Sequence, residues 1–384
     1  MTPEQFEDIR SYTQEEIPAA MQLLVDDPLI EKIIILVFGE NHVNEVKTIL
    51  RNIKNATELQ KKIMTQCKRW IVSNSMKSVE TQGLDTIQNG KPYLFTGNHR
   101  DITLDAFMLQ ISMIENGLNS CNIAFGSNLI LNKTIEIFSK ANKMFKVERS
   151  QNIRELAINS QHLSDYIRYL IKDNQSVWIA QRNGRTKDGN DKTDHGIITM
   201  FSMSGDRNDL ITNLSELNIT PVATSYEFEP CAMMKARERY ITERDGKYVK
   251  QPMEDMDSMT SGIKKKKGIV NIAICKSITS DDLKEYDGAD KRVVIQAAAD
   301  LIDKRIYENY RLYPNNFIAY DWLSGTSTFR SHYTEEDKNI FKAYCDKIFS
   351  KLHEELGSEA EQRFTEILLG IYANPVENKI KLHR

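Results

Sequence analysis

The sequence predicts an α/β protein: a mixed, partly parallel sheet flanked by helices, with helical additions at both ends. Three observations predict it. From about Ser78 to Gly288, short apolar runs alternate with amphipathic stretches, the texture of strands joined by helical crossovers. Glycine is nearly absent before Gly83, as suits a helical lead-in. After Gly288 the apolar spacing is again that of helices.

From Pro3 to about Met76 the chain reads as helices. Glu15–Val25 places Ile17, Met21, Leu24 and Val25 on one face, and 46–72 repeats the pattern with many charges. The candidate strands are Tyr93–Thr96, Ile123–Phe125, Phe145–Val147, Val177–Ala180, Thr220–Ser225 and Ile269–Ile274. Between them lie helical stretches such as Ala106–Glu115 and Glu155–Ile171, and Val293–Tyr310 and Glu335–Leu356 follow. Met233–Lys267, charged and ending in four lysines, reads as a long functional loop. The expected divisions are a helical region over 1–77, an α/β domain over 78–288 and a helical region over 289–384.

Composition narrows the function. A net charge of −3 over 384 residues gives no global basic field to attract nucleic acid. Cys67, Cys121, Cys231, Cys275 and Cys345 show no CxxC spacing, which fits free thiols in a reducing cytoplasm and not a disulfide framework or zinc site. The acidic, polar start has neither a basic nor an apolar signal region, so no signal peptide is expected. The most apolar run, Ile33–Phe38, ends at Gly39 and is far shorter than the roughly 20 residues that span a bilayer. The expected location is therefore cytoplasmic, or peripheral at the inner face of the membrane.

Four local features carry chemistry. Directly after the first apolar strand come Asn98-His99-Arg100-Asp101-Ile102-Thr103-Leu104-Asp105. A histidine can activate a hydroxyl as general base, and a carboxylate can fix its tautomer. Among seven histidines such a neighbour also arises by chance. The second feature is Phe145-Lys146-Val147-Glu148-Arg149. The third runs from the Val177–Ala180 strand into a turn with Arg182, Gly184, Arg185 and Lys187, where arginine forks and exposed amides suit a phosphate. The fourth is the strand from Thr220 through Pro221 to Tyr226-Glu227. Taken singly, each also reads as core or solvated turn. No G-x-S-x-G occurs and no cysteine sits in an electropositive turn, so a serine or cysteine hydrolase is excluded on motif.

In order, these blocks resemble the phospholipid/glycerol acyltransferase family, most closely its glycerol-3-phosphate acyltransferase branch. The resemblance runs from about Lys91 to Ile278. It takes in 98–105, a connecting Phe125-Gly126-Ser127-Asn128-Leu129, 145–149, Gly184-Arg185-Thr186, 220–227 and a closing strand over 268–276. It implies a glycerol-3-phosphate acyltransferase-like fold and acyl transfer from acyl-CoA or acyl-carrier protein to a hydroxyl of a phosphate-bearing acceptor, without metal or bound cofactor. His99 would be the base, with Asp105 or Asp101 orienting it. Arg149, Arg185, Lys187 and Arg182 would hold the acceptor phosphate, and amides near Gly184 would meet the oxyanion.

Two departures stand out. Five residues separate His99 from Asp105, one more than in the family, and Arg182 occupies a position where the family has glutamate. The second departure leaves a lysophospholipid or amino-acid lipid open as acceptor. A catalytically silent lipid- or carrier-binding module is the alternative from another class. A chain without a spanning segment must visit lipid from the water side. Two cation-dense stretches, Lys133–Arg149 with a net +3 and Lys264–Lys267, are the expected contacts for anionic headgroups or an acidic carrier protein.

Overall fold

In the computed structural model, which describes residues 2–150, 152–357 and 360–382, seven strands pair into one sheet. They are β1 Met76–Gln82, β2 Leu94–Gly97, β3 Asn122–Gly126, β4 Met144–Val147, β5 Val177–Ala180, β6 Ile219–Tyr226 and β7 Gly268–Ile274. Their order is β1-β7-β6-β2-β5-β3-β4. Every adjacent pair is parallel except β6 with β7. The parallel part follows from its connections. Helices Leu104–Glu115, Lys133–Ala141 and Ile153–Lys172 link β2, β3, β4 and β5 in turn, and a parallel pair requires such a crossover. Because β2, β5, β3 and β4 run the same way, their C-terminal ends share one edge.

β2 and β6 are buried along their whole length, as strands covered on both faces must be. Pro221 is accommodated in β6 because the β7 ladder begins one residue later, at Val222 and Ile274, leaving only the Pro221 carbonyl to accept from Cys275. One apolar cluster on the sheet gathers Ile123 and Trp178 with Phe107 and the N-terminal helices. Another joins Val177 and Ile179 to the 153–172 helix and to Lys291–Asn309. A third lies among the helices Pro314–Ser324, Glu335–Leu356 and Glu361–Lys381, with Ala232 and Ala236.

Two expectations are corrected and one is refined. The sequence reading has no strand over 76–82, yet β1 forms there. It is an edge strand of polar, half-exposed residues, so it carries little apolar alternation and is held by its ladder with β7. The 46–72 pattern is not one helix. Val43–Arg51 ends before Asn55, whose side chain caps the next helix by accepting from Glu58 N, and a wide turn over Gln60–Met64 follows. Met233–Lys267 is no loop but chiefly two helices, Ala232–Asp245 and Glu254–Lys264. The first buries only Ala232, Lys235 and Ala236, so it shows no apolar stripe to read. Gly246, at φ 78°, closes it.

Gly189 marks where the turn after β5 meets the 361–381 helix. Its φ is +77°, and a Cβ there would lie 2.1 Å from the Ile371 carbonyl oxygen. Gly288 has a similar φ of +73° but faces open space. Gly288→Ala should therefore cost about 1–2 kcal/mol for its left-handed backbone alone. Gly189→Ala should cost that plus roughly 1–3 kcal/mol of overpacking. Urea unfolding of the two variants side by side checks this, and equal midpoints would contradict the packing.

Candidate active site

The first block is fastened before it reaches its histidine. At the end of β2, the Asn98 side chain accepts from Thr224 N at 2.7 Å and donates to Thr224 O at 3.0 Å, tying β2 to β6. His99 follows. Asp101 then turns the chain into the 104–115 helix, its Oδ1 accepting from Thr103 N at 2.9 Å and Leu104 N at 2.8 Å. This cap satisfies amides that a helix N-terminus leaves unpaired.

Asp105 sits in the first turn of that helix, and its carboxylate points back at the preceding loop. Oδ2 lies 3.0 Å from His99 Nδ1 and accepts from Arg100 N at 2.7 Å and Asp101 N at 2.9 Å. Oδ1 accepts from Tyr226 OH at 2.7 Å. The loop folds around this carboxylate, and so the extra residue between His99 and Asp105 is absorbed. Asp101 makes no hydrogen bond to His99. Its Oδ2 is buried without a partner, and burial followed by the neighbouring Asp105 charge raises its pKa. Tyr226 is buried, and its pKa is pushed well above the usual value by burial and by Asp105, so it stays a donor.

Behind the loop is a buried charge cluster. The Arg100 guanidinium meets Asp191 at 2.5 Å and Glu229 at 3.0 Å, and lies 5.1 Å over the Tyr310 ring. Lys235 pairs with Glu229 and donates to the Arg100 carbonyl at 2.6 Å. Burial alone would lower the Arg100 pKa, but Asp191 and Glu229 hold it well above the ordinary value. Asn98 donates to the same Asp191 oxygen at 3.1 Å. The turn after β5 joins in, with Thr186 N donating to His99 O at 2.8 Å.

His99 lines a cavity of about 940 Å³ that opens along the shared strand edge. Its ring meets Trp178 edge-on at 6.0 Å. Most of the wall is apolar, including Phe107, Ile123, Trp178, Leu163 and Met200. Met256, Met259 and Ile263 of the 254–264 helix close one side, from a segment that reads as a loop in the sequence. Arg149, Arg182 and Gly184 also line it. Among the described residues neither Arg149 nor Arg182 has an ion-pair partner. A Cβ at Gly126 would stand 3.3 Å from two Arg149 guanidinium nitrogens, so the Arg149 side chain reaches back across the end of β3.

The other two predicted cations sit elsewhere. Arg185 is buried behind the 254–264 helix, with Nη2 donating to Ser258 Oγ at 3.3 Å and Nη1 unpartnered. Lys187 pairs with Glu238, and burial together with Arg185 lowers its pKa to about 8. The basic stretches are less open than their composition suggests. Lys267 is 1% exposed and donates to Lys265 O at 2.5 Å, leaving three lysines of that run at the surface. In 133–149, Lys133 pairs with Glu136 and Lys146 with Glu148. Sequence reasoning missed Tyr226, Arg100 and Lys235 as parts of the site. Only the Tyr-Glu that ends the fourth block signalled the first, and nothing local signalled the others.

Residues 78–223 match the Acyltransferase family. No curated protein matches the chain. A similar solved structure is the crystal structure of the 1-acyl-sn-glycerophosphate (LPA) acyltransferase, PlsC, from Thermotoga maritima, at 12% identity and a TM-score of 0.38, covering 77% of this chain and 99% of that one. Among the described residues no helix is long and apolar enough to cross a membrane.

Replacing Arg100 by methionine removes the cation that two buried carboxylates share. Arg100→Met should destabilise the fold by about 3–5 kcal/mol. The urea midpoint measures it, and an unchanged midpoint would mean the cluster contributes nothing net.

Proposed function

We propose that this chain, whose residues 78–223 match the Acyltransferase family, moves a fatty acyl group from an acyl-CoA or acyl-carrier-protein thioester to a hydroxyl of glycerol-3-phosphate or a related phosphate-bearing acceptor. The observation that carries this reading is the 3.0 Å contact of His99 Nδ1 with a buried Asp105, on the wall of a largely apolar cavity. With its Nδ1 proton held by the carboxylate, the imidazole offers Nε2 as a base. Nε2 takes the proton from the acceptor hydroxyl while the oxygen attacks the thioester carbonyl. The tetrahedral intermediate expels the thiolate, the C–S bond breaks, and the same proton passes from His99 to sulfur. No acyl-enzyme is needed, because the thioester is already activated.

In this reading Asp105 orients His99, and Tyr226 holds Asp105 by occupying its second oxygen. Asp101 acts through the helix cap. The two unpaired guanidinium groups on the cavity wall, Arg149 and Arg182, take the acceptor's anionic group, and Arg185 raises the positive potential from behind, the charge of Lys187 being met by Glu238. Such positioning can supply several kcal/mol of barrier reduction. The amides around Gly184, whose φ is +75°, meet the developing oxyanion. No metal or bound cofactor takes part in the proposed steps. Lipid is approached over the cavity rim, where Ile33 and Leu156 line the opening and are 37% and 47% exposed.

His99→Ala should lose about 10²–10⁴-fold in kcat with its fold intact. Asp105→Asn should come close to it, whereas Asp101→Asn should mainly lower stability. Tyr226→Phe should lose about tenfold in kcat at unchanged KM, the worth of one hydrogen bond to a charged group. Thiol release from acyl-CoA in the presence of glycerol-3-phosphate reads all four. A folded His99→Ala enzyme with normal turnover would falsify the mechanism.

Arg149→Ala and Arg182→Ala should each raise acceptor KM by at least about tenfold and leave donor KM in place, since each removes a charge-assisted contact. Lysine at either position should rescue only in part, because a point charge lacks the fork. Unchanged acceptor kinetics in both alanine variants would assign the phosphate elsewhere.

A further inference from the structure

The cavity wall beside His99 carries a hydrogen-bond donor that the fold itself does not use. Trp178, in β5, is 4% exposed and packs in the same apolar cluster as Phe107 and Ile123. It also lines the cavity, and its indole N–H has no acceptor among the described residues. An indole nitrogen can only donate, and a buried one ordinarily finds a partner. Leaving such a donor unpaired costs free energy that the rest of the fold must offset. The acceptor it lacks is one that a ligand can bring.

Gly97 shows how the ring is turned. β2 and β5 pair in parallel, with Gly97 opposite Ala180. A Cβ on Gly97 would stand 3.1 Å from Trp178 Nε1 and 3.4 Å from its Cζ2. Gly97 has no positive φ, so a glycine serves here for the space it leaves and not for its backbone. The nitrogen-bearing edge of the indole therefore lies against the end of β2, two residues before His99. The His99 ring meets Trp178 edge-on, with centroids 6.0 Å apart. Base and donor are thus held by neighbouring strands at one end of the sheet.

Of the two substrates, the thioester brings the fitting atom. The acceptor's anionic head belongs with Arg149 and Arg182, whereas an acyl chain laid along the Phe107 and Ile123 wall presents its carbonyl oxygen there. We propose that the Trp178 indole N–H is a catalytic donor to that oxygen. This rests on the acyl-transfer reading above. As the acceptor oxygen bonds to the carbonyl carbon, the π pair moves onto the carbonyl oxygen. Trp178 holds the resulting anion together with the amides around Gly184, and no proton leaves the indole. The pair returns as the C–S bond breaks, and the departing thiolate takes the proton from His99. A donor fixed in an apolar wall is worth more against an anion than against a neutral carbonyl. It therefore acts on kcat and hardly on donor KM.

Trp178→Phe keeps an aromatic ring in the wall and removes the N–H. Thiol release by the full-length enzyme from palmitoyl-CoA, with glycerol-3-phosphate present, should fall about 10²–10³-fold in kcat. Donor KM should stay within about twofold of wild type. The contact itself is read by NMR from the indole N–H signals of the nitrogen-labelled enzyme. The chain has three tryptophans, Trp70, Trp178 and Trp322, and the Trp178 signal is the one missing from Trp178→Phe. The probes are two analogues of palmitoyl-CoA that cannot transfer: a ketone with a methylene between carbonyl and sulfur, and a thioether without the carbonyl. The ketone should move the Trp178 proton downfield, as a new hydrogen bond does, and the thioether should not. Should Trp178→Phe fail to fold, Trp70→Phe and Trp322→Phe assign the signal by elimination, and the two analogues decide alone. A folded Trp178→Phe enzyme with kcat within about threefold of wild type, or equal shifts from both analogues, would overturn the proposal and leave acyl transfer standing. Thiol release that survives in His99→Ala, or indole signals that neither analogue moves, would instead remove the reading on which it rests.

Discussion

Asp105 draws four groups of different origin onto one carboxylate: the His99 ring, the amides of Arg100 and Asp101, and the Tyr226 hydroxyl. Two of these donors are the loop's own backbone, so the loop takes its shape from the charge it encloses. The helix that carries Asp105 begins within the same turn, where its N-terminal dipole favours a carboxylate. A buried carboxylate with both oxygens hydrogen-bonded is hard to move, since shifting it would strand those donors. The position of His99 is thus set by a helix start, a loop and a strand at once, and the rest of the site is arranged around it.

The cluster behind the loop extends this arrangement through the molecule. Arg100 ties the turn after β5, through Asp191, to the segment after β6, through Glu229. Glu229 in turn meets Lys235 on one of the two helices inserted before β7, and its amide donates to the Tyr372 hydroxyl of the 361–381 helix at 2.9 Å. A charge in this network cannot be removed without stranding another. The C-terminal helices therefore brace the His99 loop from a distance, although among the described residues none of them lines the cavity.

The inserted helices have a second role. The 254–264 helix presents Met256, Met259 and Ile263 to the cavity, while its Gly262 packs on Asp101 so closely that a Cβ would lie 2.1 Å from the carboxylate. One short helix thereby closes the apolar space and covers the turn that positions His99. Its methionines give that wall an adaptable shape. Arg185 lies beneath it, and this separates the buried cation from the two arginines that face the open space.

Legible in the sequence alone are the alternation of strands and helices, six of the seven strands and the candidate residues around the cavity. Apolar runs of four to eight residues and helical periodicity are local properties, and His99, Asp105, Arg149 and Arg182 stand beside them in readable blocks. Which of those residues meet follows from packing between elements far apart in the chain. β1 owes its form to the β7 ladder, the 232–264 helices to contacts that their composition does not announce, and the burial of Arg185 and Lys267 to a helix packed over them. That His99 faces Asp105 and not Asp101 depends on a helix start and on Tyr226, 121 residues away. Local pattern reports which residues are apolar, charged or turn-forming. Which charges pair, and which are left facing a cavity, is settled by elements distant in sequence that compete for the same buried groups.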